Sequence, residues 1–258
     1  MHFKEVPNEK YESYRHMFDQ EHCPQTFVDN AFTFKSAKLK VDDEENPTIA
    51  YLDFTYAIIL VGSPDSLTDE EFLELIPEGL TIIADKKKWL PRLLKHFKGK
   101  LMERKRTKMS HKHLTLEKLE SLKRPLPDGY SLERIDKETA ENLPEILQVH
   151  IPVFFGSVDN FVEKTISFCV KHGTDPISLA SASIPHTNLL EVQVATVDKP
   201  EYRRKGFGTA VSIALVEYCL ENNIEPHWEA ANDTSVDMAL KLGYTDPKDV
   251  YQYYWRSE

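Results

Sequence analysis

The stretch "RRKGFGTA", Arg203 to Ala210, decides how this 258-residue chain is read. Two glycines, one residue apart, follow three basic residues and precede Thr209. Upstream lies "LLEVQVATV", Leu189 to Val197, whose alternation predicts a strand; downstream, "GTAVSIALVEYCLENN" predicts a helix. A helix N-terminus has unpaired N–H groups and about half a positive charge, so it favours an anion. Gly206 and Gly208 lack Cβ atoms and let an anion approach the backbone closely. Arg203, Arg204 and Lys205 add positive charge. The dinucleotide fingerprint stops at Val211, where its third glycine belongs, and the ATP-type loop is absent. From these residues alone, a phosphate cradle and a plain tight turn both stand.

Working outward, the second half has a readable order. "YSLERID" from Tyr130 alternates as a strand, and "KETAENLPEILQVH" is a helix that Pro144 bends or splits. "SVDNFVEK" opens on the cap Ser157. "TISFCVKH" and "PISLASASIP" form a hairpin across "GTD". After the glycine loop come the strand "PHWEAA", the helix "TSVDMALKLGY" and the strand "DVYQYYW". Thr234 and Asp237 suit the cap of that last helix, and Gly243 suits its C-terminal turn. The fold class is α/β (α+β): a mixed central sheet with an antiparallel start, flanked by helices.

The first half reads as an α/β domain of its own. It has a strand "LDFTYAIILVGS", Leu52 to Ser63, and a helix with a Thr68/Glu71 capping box. A short strand "GLTIIAD" follows, then a helix "KKWLPRLLKHF" with Pro91 in its first turn. "KRPLPDGY", Lys123 to Tyr130, is a linker signal, so the domains are expected at 1–125 and 126–258.

The net charge of −10 repels nucleic acid and anionic membranes and attracts cations. Lys98 to Arg124 departs from this, with ten Lys and Arg against three acidic residues. A solvated helix or linker explains it better than a nucleic-acid patch, because no aromatic residues are interleaved. No run reaches the roughly 18 apolar residues of a membrane span. The polar N-terminus does not read as a signal peptide, and three scattered cysteines suit a reducing compartment. The expectation is a cytoplasmic protein. His111 and His113 form an H-x-H without a further ligand nearby in sequence, so no metal is expected.

Arg203 to Gly208 fits the loop [QR]-x-x-G-x-[GA] of the GNAT superfamily of acetyl-CoA-dependent N-acetyltransferases, and the element order from Tyr130 onward resembles that family. "ANDTSVDMALKLGY" resembles its terminal motif, and "PHWEAANDTS" is similar to the small branch that includes the zwittermicin A resistance acetyltransferase. The resemblance covers roughly residues 126 to 258. It implies that the anion is the pyrophosphate of coenzyme A, held by Arg203, Arg204, Lys205, Gly206, Phe207, Gly208 and Thr209. Val197 would pair with the pantetheine arm, and Asn232 would lie beside the sulfur.

Acetyl transfer needs a neutral amine. A lysine-like amine, with a pKa of about 10.4, sits about 4 kcal/mol from that form at neutral pH. A positioned carboxylate or His can take the proton. Glu191 is the first candidate base, with Glu229 and His227 behind it. Glu229, Phe154 and Phe155 are the candidate acceptor-site residues. Many family members carry a general-acid Tyr in the last helix where Ala239 stands here; Ser235 is the replacement candidate. The expected reaction is acetyl transfer to a primary amine of a small cationic molecule. The alternatives are a catalytically impaired coenzyme-A-binding module and a nucleic-acid-binding protein. The first half is expected to be a degenerate GNAT-like copy, serving as acceptor-site wall or homodimer contact.

Overall fold

In "AIILVG", Ala57 to Gly62, Ile58 and Leu60 enter one buried cluster while Ile59 and Val61 enter another. Successive side chains of a strand face opposite ways, so such a run demands cover on both faces. The computed structural model of the protein describes residues 3–256 and supplies that cover. The chain forms two compact units: one runs to Arg106 and takes in the segment from Asp249 onward, and the other is Thr107–Lys248.

The first unit contains β1 (Lys4–Glu5), a 3-10 segment (Asn8–Phe18), α1 (Gln25–Phe34), β2 (Lys38–Val41), β3 (Ile49–Asp53) and β4 (Ala57–Gly62). It continues with α2 (Asp69–Leu75), β5 (Thr81–Ile83), α3 (Lys86–Phe97) and the start of β6 (Leu101–Ser110). The second unit takes the rest of β6, then α4 (Leu116–Leu122), β7 (Tyr130–Arg134), α5 (Lys137–Glu141) and α6 (Glu145–Gln148). A π-helical turn (Ile151–Phe155), α7 (Val158–Lys164), β8 (Ser167–His172), β9 (Asp175–Ala182) and β10 (Leu189–Thr196) follow. The chain ends through α8 (Phe207–Glu221), β11 (Glu225–Ala230), α9 (Asp233–Leu242) and β12 (Thr245–Trp255).

Both units are mixed sheets flanked by helices. Among the described residues, the first sheet runs β1-β2-β3-β4-β5-β12 and the second β7-β8-β9-β10-β11-β6. In each, four strands are antiparallel, the fourth and fifth are parallel, and the sixth is antiparallel again. In each the sixth strand is brought by the other half of the sequence. The second unit's sheet has one core against α8 and α9, with Leu190, Val192 and Trp228, and another with Leu143, Phe155 and Phe161.

Several sequence expectations change. "LDFTYAIILVGS" is two strands, with a turn closed by Phe54 N–H on Ala57 O at 2.9 Å; continuous apolarity hid the turn. The helix α3 begins at Lys86 under the Asp85 cap, so Pro91 sits inside it and not in its first turn. The basic segment expected as helix or linker holds β6, where Thr107 and Met109 alternate inward and pair with Ala230 and Trp228. The expected boundary near residue 125 falls between Arg106 and Thr107, because Met109, Leu114 and Leu119 belong to the second unit's core. Pro144 does split its helix, and the Thr68/Glu71 capping box forms.

Gly62 ends β4 with φ of +91°, and a Cβ there would run into Thr48 O. Gly62→Ala is expected to cost about 2 kcal/mol or more, from left-handed strain plus the clash. Urea denaturation of the variant measures it; a loss under 1 kcal/mol, the lower end of left-handed strain alone, refutes the clash.

His150, buried against Phe155 and Phe161 with Nε2 3.1 Å from Ser181 Oγ, has its pKa lowered to about 4 by burial. The unfolded imidazole takes up a proton below about pH 6.5, while the folded one resists until about 4. This contribution is whole above pH 6.5 and is lost as pH falls toward 4, by about 3 kcal/mol. Denaturation curves at pH 7 and 4.5 are expected to show a smaller acid loss in His150→Gln than in the parent. Equal losses would remove His150 from the linkage.

Candidate active site

The site is built on the end of β10. Val197 N–H donates to Ile177 O at 2.8 Å, and Ser183 N–H donates to Glu191 O at 2.8 Å. Backbone groups of a strand alternate in direction, so Glu191, Gln193, Ala195 and Val197 turn theirs toward β9. Val192, Val194 and Thr196 turn theirs the other way. There, β11 keeps register with β10 only from Leu189 to Glu191, while β9 follows it to Thr196. The two parallel strands therefore part after Glu191, and the backbone of Val194 and Thr196 faces the gap.

The N-terminus of α8 stands at this gap. Gly206 is its N-cap residue, at φ +81°, with no side-chain hydrogen bond to the first turn. The first intrahelical bond runs from Ala210 N–H to Gly206 O at 2.9 Å, which leaves Phe207, Gly208 and Thr209 as the open donors. A Cβ on Gly208 would come within 3.2 Å of Met238 Cε, 3.5 Å of Thr196 Oγ1 and 4.0 Å of Val194 Cγ1. The glycine thus lets the helix end sit against the terminus of β10. A cavity of about 500 Å³ adjoins the loop, with Arg204, Lys205, Gly206 and Thr209 on one side and Arg124 and Lys241 among its other walls. Cationic walls and unpaired helix donors together suit a phosphate-bearing ligand.

The loop residues differ in role. Arg203 is ion-paired with Asp198, its Nη2 2.7 Å from Oδ1, so part of its charge is neutralised. Arg204 adopts a left-handed φ of 58°. Lys205 lies over the Tyr130 ring, 5.5 Å from its centroid. Phe207 is buried and packs against Tyr130 with ring centroids 4.6 Å apart, so its side chain anchors the loop while its N–H opens the helix.

Other expected residues have structural duties. Val197 has its N–H on Ile177 and its C=O accepting from Lys199, so Val194 and Thr196 offer the strand edge instead. Asn232, not Thr234, caps α9: its side chain accepts from Ser235 N–H at 3.0 Å. Ser235 Oγ accepts from Trp228 Nε1 at 3.0 Å. It lies one turn from Met238, on the α9 face that reaches Gly208. Ala239 is fully buried in the core. Phe155 is core, whereas Phe154 is half-buried at its edge.

Glu191 faces the side of the sheet opposite Leu190 and Val192, level with His227 on β11. Glu229 stands opposite Lys108 of β6. Sequence reading missed Val194, Thr196, Met238 and the far wall of the cavity, because register and helix packing choose them. Alternation counted back from the loop would have found the first two.

The first unit lacks such an anion site at its equivalent helix. There the Thr68 side chain accepts from Glu71 N–H and the Glu71 side chain from Thr68 N–H, and Asp69, Glu70 and Glu71 crowd the first turn of α2 with negative charge.

Comparison with known proteins agrees with this fold. The profile of the GNAT acetyltransferase family matches residues 15–254. The chain is 26% identical over 263 residues to the uncharacterized N-acetyltransferase YdfB of Bacillus subtilis (strain 168), covering 97% of this chain and 98% of that one. A crystal structure of a GCN5-related N-acetyltransferase-like protein from Streptococcus suis 89/1591 superposes with a TM-score of 0.78 at 21% identity, covering 96% of this chain and 99% of that one. A tandem GNAT protein from the clavulanic acid biosynthesis pathway matches with a TM-score of 0.60 at 13% identity, covering 100% and 99%. Likeness at these identities carries the fold, and the profile spans nearly the whole chain. The chain belongs to the GNAT acetyltransferase family and is an acyltransferase.

Proposed function

We propose that the protein moves an acetyl group from acetyl-CoA to a primary amine of a small cationic molecule. The observation that carries the reading is the uncapped N-terminus of α8 beside the parted strands β10 and β11. Coenzyme A would place its pyrophosphate on the N–H groups of Phe207, Gly208 and Thr209, with Arg204 and Lys205 nearby. Its pantetheine amides would bond to the backbone of Val194 and Thr196, as an added strand does. When bound, acetyl-CoA supplies the activated acyl group as a thioester.

This chain's residues supply the rest. Glu191 takes the proton of the incoming ammonium, directly or through water, and leaves the amine free to react. Backbone N–H groups at the gap steady the negative charge that develops on the acyl oxygen. Ser235, on the α9 face toward the site, returns a proton to the leaving sulfur in place of the Tyr replaced by Ala239. Phe154 and Glu229 border the acceptor, and the acidic surface draws a cation toward it. The first unit, which repeats the strand pattern without the loop, acts as a second GNAT-like copy with no cofactor of its own. Kinship to the zwittermicin A resistance branch rests on "PHWEAANDTS" and is part of this reading.

Calorimetric titration of acetyl-CoA is expected to give micromolar binding that the folded double variant Gly206→Val, Gly208→Val loses. With a panel of polyamines and aminoglycoside-like amines, thiol release is expected from the parent. Glu191→Gln is expected to lower kcat by about 100-fold or more at neutral pH while acetyl-CoA affinity holds. Binding unchanged in the glycine variant would remove the cofactor from this loop. Binding without turnover of any amine would favour a coenzyme-A-binding module.

A further inference from the structure

We propose that His111, Glu225 and His227 form a binding site for a divalent transition-metal ion of the zinc class. His111 follows directly on β6, and Glu225 and His227 lie two residues apart on β11, so both carry their side chains to one face of the sheet. The pairing of β6 with β11 brings the segments together. His111 Nε2 is 3.2 Å from Glu225 Oε2, and His227 Nε2 is 3.5 Å from the same oxygen. One donor atom from each of the three residues lies within 4.8 Å of the others. Donors about 2.0–2.1 Å from a tetrahedral ion stand about 3.4 Å apart, so two of the three separations already suit one. The third closes with a small rotation of either ring.

The state of His227 supports a ligand. Its Nε2 is buried and makes no hydrogen bond of proper geometry, despite the carboxylate nearby. A buried polar atom without a partner calls for an explanation, and a bound ion is one of the usual ones. The two rings lie with centroids 4.8 Å apart. Two imidazoles and one carboxylate select zinc-like ions over magnesium or calcium, which want oxygen donors, and they leave a fourth position for water. His113, exposed in the turn beyond, has no part in the group. The H-x-H of the sequence therefore contributes one ligand, and β11 contributes the other two.

The test uses the full chain stripped with a chelator. Titration with zinc chloride is expected to show one site of micromolar affinity, weakened at least tenfold in Glu225→Gln and in His111→Ala and unchanged in His113→Ala. Cobalt(II) is expected to give the visible absorption of a four-coordinate N/O site in the parent, and to lose it in both ligand variants. Saturating zinc is expected to raise the Tm of the parent by several degrees and to leave that of Glu225→Gln where it was. Absence of saturable binding to the folded parent overturns the proposal. So does binding undiminished in both ligand variants, or lost only in His113→Ala.

Discussion

The parting of β10 from β11 after Glu191 is the constraint on which the candidate active site depends. A strand in a closed sheet spends its backbone groups on its neighbours. Val194 and Thr196 keep theirs directed into a gap because β9 follows β10 to its end and β11 does not. The same gap admits the N-terminus of α8, and Gly208 is small enough to let the helix rest on Thr196 and Val194. The separation of strands thus brings an open backbone edge next to the N-terminus of α8.

The two units show how the same strand pattern can carry different chemistry. Each has four antiparallel strands, a parallel step and a sixth strand brought from the other half of the sequence. The helix after the fourth strand differs between them. Its N-terminus in the second unit is a glycine without a side-chain cap, followed by no acidic residue in the first turn. In the first unit it is a threonine in a capping box, followed by three acidic residues. Helix-end electrostatics favour an anion at the first of these helix ends and disfavour one at the second. The sixth strands also make the fold dependent on both halves. β6 completes the second sheet before most of its strands have appeared in the sequence, and β12 completes the first after all of its other strands.

Buried polar groups mark where this fold gives up simple packing. His150 is held neutral among aromatic rings with Ser181 as its partner. His227 is held near a second histidine and a carboxylate. By contrast, Cys169 and Cys219 are buried, and burial pushes their thiols up to about 12, which keeps them unreactive. The cysteines of the second unit therefore serve as core.

What the sequence determined by itself was local. The glycines at 206 and 208, the alternation of Leu189 to Val197, the Thr68 box and the split at Pro144 are each set by backbone freedom or by neighbours within one turn. That was enough for the helix–strand order of the second half and for the loop. Tertiary structure decided what depends on partners far along the chain. It made a strand of the basic run around Arg106, because Ala230 and Trp228 of β11 offer it a ladder that charge composition does not reveal. It moved the strand edge from Val197 to Val194 and Thr196, because the phase of hydrogen bonding comes from β9. It gave Asn232 to a helix cap and joined His111 to Glu225 and His227 across more than a hundred residues of chain. Local signals survive in a sequence because their physics acts between near neighbours; register and convergence do not, because they are chosen by which strands the whole fold leaves side by side.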